Sequence, residues 1–424
     1  MNILSLFDGM SCGMLALKNA GVPVENYYAY EIDKYAVQTA QHNFPEIQEL
    51  GDVFKEDYTK YKGNINFLIG GSPCTYWSIA QSPDKREKTS SGVGWELFSQ
   101  YVRALKEAKP DYFIYENNRS MAKAIYDAIS ETFGFEPIMI NSALVSAQNR
   151  QRYYWVGKRN EDGTYNKVDV KQPEDRGILL KDILDSGMDL TLKDKSFAQT
   201  ATYNGAVPQN TLERHQRNMI AEPVGVAQRG RYSGNGTEQH IEAREDQKSN
   251  CLTTVQKDCM IGEPCAVPAM IVNEATQKGY IEVNCGECFD YDFPNSKTRR
   301  GRKMDDKSNC LTTSCTFYQY TAYAIEFDEK GNPTKAVSTT DNKTYTVYRV
   351  KEGQISINNK SYPIKLSNGF YIIRKLTVPE CKRLQTVPEW YEFPVSNSQA
   401  YKMLGNGWTV DVITHLIKSA LKEK

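Results

Sequence analysis

Residues 4 to 13 read LSLFDGMSCG: an apolar run that stops at a glycine-bearing turn and passes at once into a helical pattern carried by Met14 and Leu17. A strand that turns through glycine directly into a helix is the opening unit of a parallel α/β sheet. The turn lacks G-x-G-x-x-G, so a dinucleotide pyrophosphate suits it poorly. Moving outward, INFLIG at 65 to 70 and YFIYE at 112 to 116 read as two further buried strands, each followed by a polar or glycine-rich turn. The same rhythm holds over residues 1 to 160. Near 190 to 370 it gives way to Thr, Asn, Gly and Tyr with short strand-like pieces such as YTVYRV and FYIIRKL; a mostly β or irregular insert is expected there. The chain then returns to helix, with Ile413, Leu416, Ile417, Ala420 and Leu421 on one face.

With 424 residues and 40% apolar content, the chain is long enough for two or three domains with their own cores. No apolar run approaches the ~18 residues of a membrane span, and MNILSLFDG lacks the basic start of a signal peptide, so a cytoplasmic protein with no membrane partner is expected. Ten scattered cysteines suit reduced thiols better than a disulfide framework. The formal charge is zero, so any nucleic-acid surface must come from local clusters: Lys85, Arg86 and Lys88; Arg150, Arg152, Lys158 and Arg159; and Lys297, Arg299, Arg300, Arg302 and Lys303. The middle of the chain repeats itself, with KSNCLTT at both 248 to 254 and 307 to 313, and MIAEPVGV at 219 to 226 echoed by MIGEPCAV at 260 to 267. Arg229 and Arg231 precede the first copy, and Arg300 and Arg302 the second. A duplicated basic loop suits an extended anionic ligand; a duplicated scaffold with no contacts is the other reading. Cys285 and Cys288 form CGEC without a second regularly spaced pair, and the four histidines form no ligand cluster, so no metal is expected.

Two acids follow apolar strands. Glu31 in YEID stands where a carboxylate can accept from ribose hydroxyls, and Asp52 in GDVF where one can accept from an adenine amino group. Each alone reads equally as a helix cap or a surface charge. At 70 to 78 the chain reads GGSPCTYWS: Pro73 fixes the backbone before Cys74, and Gly70 and Gly71 allow close approach at a strand end. A thiol nucleophile usually keeps a histidine beside it; here the neighbouring motifs supply Glu116 in YENN and two arginines, Arg150 and Arg152, in QNRQR.

In order, FDGMSCG, YEID, GDV, GGSPC, YENN, QNRQR, then RKLTVPECKRLQTVPEW at 374 to 390 and YKMLGNGW at 401 to 408, the chain resembles the cytosine-C5 DNA methyltransferases that use S-adenosylmethionine. The likeness covers roughly 1 to 185 and 371 to 424. It implies a Rossmann-like α/β methyltransferase domain over 1–185, a smaller, mostly β or irregular target-recognition domain over 186–370 and a C-terminal segment, 371–424, returning to the catalytic domain. It also implies that Phe7, Asp8, Gly9 and Gly13 line the cofactor pocket with Ile32, Val53, Pro73, Leu97 and Trp408 beside them. Glu31 holds the ribose, Asp52 the adenine amino group, and Asn406 closes over the methionine end. By the same likeness Cys74 attacks C6 of a cytosine, Glu116 contacts N3, and Arg152, with Arg150 behind it, holds O2.

Double-stranded DNA is the implied partner of a monomer working at the nucleoid, either beside a companion restriction endonuclease or as an orphan enzyme; the likeness leaves both open. Residues 75 to 94 read as a mobile lid, Gln81 or Ser82 as the filler of the gap left by a flipped base, and Lys85, Arg86, Lys88 and the four arginines of the duplicated loops as phosphate contacts. An RNA methyltransferase of the same lineage, or a noncatalytic DNA-binding relative, are the competing readings. The chain departs from the family in FDGMSCG for FxGxG, in ENN for ENV, and in lacking the arginine that often precedes the GxLF-type element.

Overall fold

The computed structural model describes residues 1–78, 84, 86–185, 187–224, 227–233, 236–242, 270–273, 280–283, 288–290, 303–304, 317–319, 323–328, 333–338, 343–366 and 368–422. The chain divides into two compact units: Met1–Ile183, Asp194–Gly205 and Thr377–Lys424 form the first, Leu184–Lys193 and Ala206–Leu376 the second. The first therefore takes back Asp194–Gly205 from within the stretch expected as an insert. Backbone pairing is the reason: Ser196 donates to the Ala147 carbonyl and accepts from Asn149, and the Gln199 carbonyl accepts from Arg150.

The first unit is built on strands β1 (Asn2–Leu6), β2 (Asn26–Tyr30), β3 (Gln48–Glu49), β4 (Phe67–Gly70), β5 (Tyr112–Asn118), β6 (Ile138–Asn141), β7 (Gln151–Arg159) and β8 (Tyr165–Lys167). Helices α1 (Cys12–Ala20), α2 (Lys34–Asn43), α3 (Val93–Ala108) and α4 (Lys123–Phe133) connect them. The strands lie in the order β3-β2-β1-β4-β5-β7-β6, with β8 on β7. Neighbours from β3 to β5 are parallel, and β7 runs antiparallel to both β5 and β6. Strands that are apolar throughout, such as FLIG of β4 with every residue buried, belong in a sheet covered on both faces. Leu4, Leu68, Phe98, Tyr101, Phe113, Tyr115, Phe133 and Trp155 pack into one cluster on one side of it. The expected parallel α/β sheet is present.

The second unit is β-rich. Its main sheet runs through Tyr323–Phe327, Pro333–Ser338, Thr344–Lys351, Gly369–Lys375, Met219–Val224 and Met188–Asp189, with a hairpin of Gln354–Ile357 and Lys360–Pro363 attached; α5 (Pro208–Leu212) is a short helix of this unit. The Arg374 guanidinium pairs with Glu222 in its interior. Ala227–Ser233 and Gly236–Glu242 form a separate hairpin. Both KSNCLTT copies, Cys285, Arg300 and Arg302 lie outside the described residues. In the first unit the chain closes with α6 (Val378–Leu384), α7 (Asn397–Asn406) and α8 (Val410–Lys422). Ile413, Leu416, Ile417 and Ala420 of α8 are fully buried and Leu421 half-buried. No helix among the described residues is long and apolar enough to cross a membrane.

Candidate active site

The strand order reverses direction between β1 and β4, and in open parallel sheets ligands bind outside the carboxyl ends at that switch point. The segments that leave β1, β2 and β3 form one flank of this site; those that leave β4 and β5 form the other.

On the first flank the chain leaves β1 through a strained turn. Phe7, Gly9 and Ser11 have φ of 57, 61 and 57°, a region that costs a non-glycine residue free energy and persists only when its surroundings impose it. Asp8 imposes it. Its buried carboxylate accepts from Ser5 Oγ at 2.5 Å, from Tyr27 Oη at 2.6 Å and from Ser11 Oγ, and burial, partly offset by these hydrogen bonds, pushes the carboxyl up. Glu31 then clamps the turn from β2, with Oε2 accepting from Gly9 N and Oε1 from Ile32 N and Asp33 N, each at 2.8 Å. Asp52 accepts from Phe54 N at 3.0 Å; it is a cap, one of the readings its sequence position left open, with a second oxygen to spare.

Two of the four turn residues expected in a cofactor pocket face inward. Asp8 is spent on the turn, and a Cβ on Gly13 would stand 2.3 Å from Ile69 Cδ1 and 2.7 Å from Tyr27 Oη, so this glycine serves helix-on-sheet packing. Val53 is also buried, its carbonyl held by Arg103 at 2.8 Å. Outside, Ile32 is 77% and Phe54 48% exposed, and a Cβ on Gly9 would meet nothing within 4 Å. Apolar side chains standing in water beside a carboxylate at adjacent strand ends suit an adenosine with no phosphate chain. The residues present therefore fit S-adenosylmethionine.

On the second flank, Gly70 ends β4, Gly71 follows it, and Cys74 opens a single 3₁₀ turn, Cys74–Tyr76. Cys74 is half-buried, whereas Cys12 and Cys381, the other free cysteines among the described residues, are buried; burial pushes the Cys12 thiol up to about 12. Ser72, inside the turn, shares a hydrogen bond with Tyr115 Oη at 2.7 Å, and Asn117 Nδ2 donates to that phenol at 3.1 Å. Glu116 stands near the carboxyl end of β5, one residue past the last pair with β4 at Tyr115. Its Oε1 pairs with Arg152 Nε at 3.1 Å, both side chains being largely buried, and its Oε2 accepts from Trp408 Nε1 at 3.0 Å. A Cβ on Gly71 would stand 2.8 Å from Glu116 Oε2; only glycine lets the Cys74 turn lie against the acid.

Arg150, expected behind Arg152, is a structural clamp. It is buried and donates to the carbonyls of Gln199 at 2.9 Å, Gly405 at 3.1 Å and Gly407 at 2.9 Å, tying β7 to the GNGW turn after α7. Burial first, then Arg152, pushes its guanidinium down to about 10, with Glu116 and Cys74 acting the other way; it stays cationic at neutral pH. Arg86, expected on DNA, donates through its guanidinium to the carbonyls of Trp77, at 3.2 Å, and Ser120. Glu87 accepts from Trp77 Nε1 at 3.1 Å and from Gly94 N at 3.1 Å. Lys88, Asn406 and Pro73 are exposed and Leu97 half-buried. Arg229 and Arg231 lie in the Ala227–Ser233 hairpin strand. Gln81, Ser82 and Lys85 lie outside the described residues.

Three features escaped sequence reading. Trp408, expected beside a cofactor, reaches the acid. Glu87 braces the chain that returns from Cys74, although a lone acid in a polar stretch signals nothing. Glu49, ending β3, buries both carboxylate oxygens without a hydrogen-bond partner; burial, with Asp8 and Glu31 nearby, pushes it up to about 8.

A family model described as C-5 cytosine-specific DNA methylase matches residues 1–422. The orphan methyltransferase M.SPRI of Bacillus phage SPR is 26% identical over 480 aligned positions, which cover 99% of this chain and 97% of its own length. The type II methyltransferase M.Eco47II of Escherichia coli is 30% identical over 244 positions, 54% of this chain and 53% of its own. The orphan methyltransferase M.Rho11sI of Bacillus phage rho11s is 34% identical over 173 positions, 38% and 33% of the two.

Proposed function

Because the chain belongs to the C-5 cytosine-specific DNA methylase family, we propose that it rotates a cytosine out of duplex DNA and methylates C5 by way of a covalent bond between Cys74 and C6. The observation that carries this reading is a partly accessible thiol on a turn packed against a carboxyl held by two donors. A nucleophile and a proton donor on neighbouring strand ends are what addition across the C5–C6 bond requires.

Cytosine C5 is a weak nucleophile. Addition of the Cys74 thiolate to C6 moves an electron pair toward N3, where Glu116 delivers a proton, and leaves C5 an enamine carbon. S-adenosylmethionine, when bound, supplies an electrophilic methyl group on a sulfonium. Glu31, Ile32, Phe54 and Asp52 would hold its adenosine and Asn406 its methionine end. Loss of the C5 proton, to water in this proposal, then expels the Cys74 thiolate as N3 returns its proton to Glu116. Arg152 anchors Glu116 and reaches the pyrimidine O2, and Arg150 holds the turn that carries Trp408. Histidine has no task in this scheme: His42 pairs with Glu392 and His415 with a backbone carbonyl.

Extruding the base costs roughly a few kcal/mol, offset by contacts elsewhere on the duplex. Lys88 and the arginine-bearing strand Ala227–Ser233 are the proposed phosphate contacts, which position a protein without specifying sequence. Incubation with radiolabelled methyl donor and either mixed-sequence DNA or tRNA tests the reading. Label in DNA, lost in Cys74→Ser, is the expected result; label in tRNA alone, or a serine variant with retained transfer, overturns it.

A further inference from the structure

Glu116 has two carboxyl oxygens and both are spoken for. Arg152 Nε lies 3.1 Å from Oε1 and Trp408 Nε1 3.0 Å from Oε2. Each of these groups can only donate. A proton carried by the acid must therefore sit on a lone pair that neither donor faces. On Oε2 the choice narrows further, because the Gly71 backbone lies against it: a Cβ there would be 2.8 Å from Oε2 and 3.4 Å from Trp408 Nε1. Indole, glycine and carboxyl form one packed cluster.

Trp408 is also fixed from behind. It follows Gly407, whose carbonyl is held by buried Arg150 at 2.9 Å, and a Cβ on Gly407 would stand 3.2 Å from the Cys12 sulfur. The next residue, buried Thr409, donates to Gln385 Oε1 at 2.9 Å. An indole with so little freedom can set the direction in which a carboxyl points.

We propose that Trp408 is a positioning residue for proton delivery: its N–H fixes the Oε2 side of Glu116 while Arg152 fixes the Oε1 side, so that the acid's proton is aimed where the base arrives. The inference rests on Glu116 acting as the proton donor. It gives the tryptophan of the GNGW turn a task on the substrate side of the switch point, separate from closing over the methyl donor.

Trp408→Phe keeps the ring and removes the donor. With the full-length enzyme, mixed-sequence DNA and S-adenosylmethionine, kcat is expected to fall about tenfold, the KM for S-adenosylmethionine to stay within about twofold, and the acid side of the pH–rate profile to move. Trp408→His, which retains a ring N–H, is expected to recover part of the rate. In a Glu116→Gln background the same Trp408→Phe change should cost nothing further, since residues acting as a unit are not additive. An unaltered kcat, a loss confined to the cofactor KM, or an additive loss in the Glu116→Gln background overturns the proposal. Should the phenylalanine variant fail to fold, Trp408→Met fills the space without a donor and is read in the same way. Transfer retained by Cys74→Ser would instead remove the mechanism beneath it.

Discussion

Gly71→Ala is the substitution whose consequence is tied most directly to the geometry of the site. Gly71 does not have a left-handed φ, so alanine carries no backbone penalty and the effect is steric alone. The added methyl would stand 2.8 Å from Glu116 Oε2 and 3.0 Å from the Glu116 carbonyl oxygen, about half an ångström inside ordinary van der Waals contact. One neighbour is the carboxyl of the acid and the other a backbone carbonyl of β5, a strand held in register by β7 with Glu116 opposite Tyr154. The side chain therefore gives way, and with it the bonds to Arg152 and Trp408. Overpacking of this size costs roughly 1–3 kcal/mol of stability, and displacing a reacting group by up to about 1 Å costs on the order of a hundredfold in rate. We expect kcat for methyl transfer to fall about 10- to 100-fold, with a modestly lowered thermal midpoint and little change in the KM for S-adenosylmethionine. A variant with lowered stability and full kcat would refute the argument that the Cys74 turn and the acid are mutually positioned.

Four further outcomes are expected. Arg150→Met strips the donor from three carbonyls at once and should destabilise the first unit by roughly 3 kcal/mol or more; urea denaturation with unchanged stability would contradict the clamp. Arg86→Met should leave the salt dependence of DNA affinity unchanged, because its donors are used internally; loss of the exposed Lys88 should reduce the log–log slope by about 0.9, and the opposite pattern would reverse the two assignments. Glu87→Ala removes an acceptor from Trp77 and from Gly94 N near the start of α3 and should cost about 1–2 kcal/mol, read as a lowered thermal midpoint; an unshifted midpoint would contradict the brace. Glu49, pushed up to about 8, keeps its proton in the folded state above the unfolded carboxyl value near 4.3, so the native state binds the extra proton and stability falls as pH rises from there toward 8. Glu49→Gln should therefore raise the midpoint more at about pH 8.5 than at about pH 4, and an equal effect at both would count against the burial.

The catalytic sheet was legible because its signal is local: apolar strands such as FLIG, followed by glycine turns, specify where each carboxyl end emerges. Cys74 and Glu116 could be placed on neighbouring strand ends from that alone. The division of labour among charges was not legible. Whether an arginine faces a ligand or a carbonyl depends on partners far along the chain, and Arg150 meets carbonyls of Gln199, Gly405 and Gly407 that no local pattern announces. Asp8 and Gly13 show the same limit, since a turn motif names residues without saying which of them face the core. Asp194–Gly205 returned to the first unit for a similar reason: its tie is backbone pairing with the segment around Ala147 and Asn149, and backbone leaves no mark in side-chain composition.

The covalent bond to the pyrimidine is tested most directly with duplex DNA carrying 5-fluorocytosine, in which the halogen blocks the final proton loss and leaves the sulfur attached. Incubated with the enzyme and S-adenosylmethionine, it should yield a denaturation-resistant complex whose peptide mass places the base on Cys74. Full methylation of ordinary DNA by an enzyme that forms no such complex, or attachment at any other residue, would contradict the account.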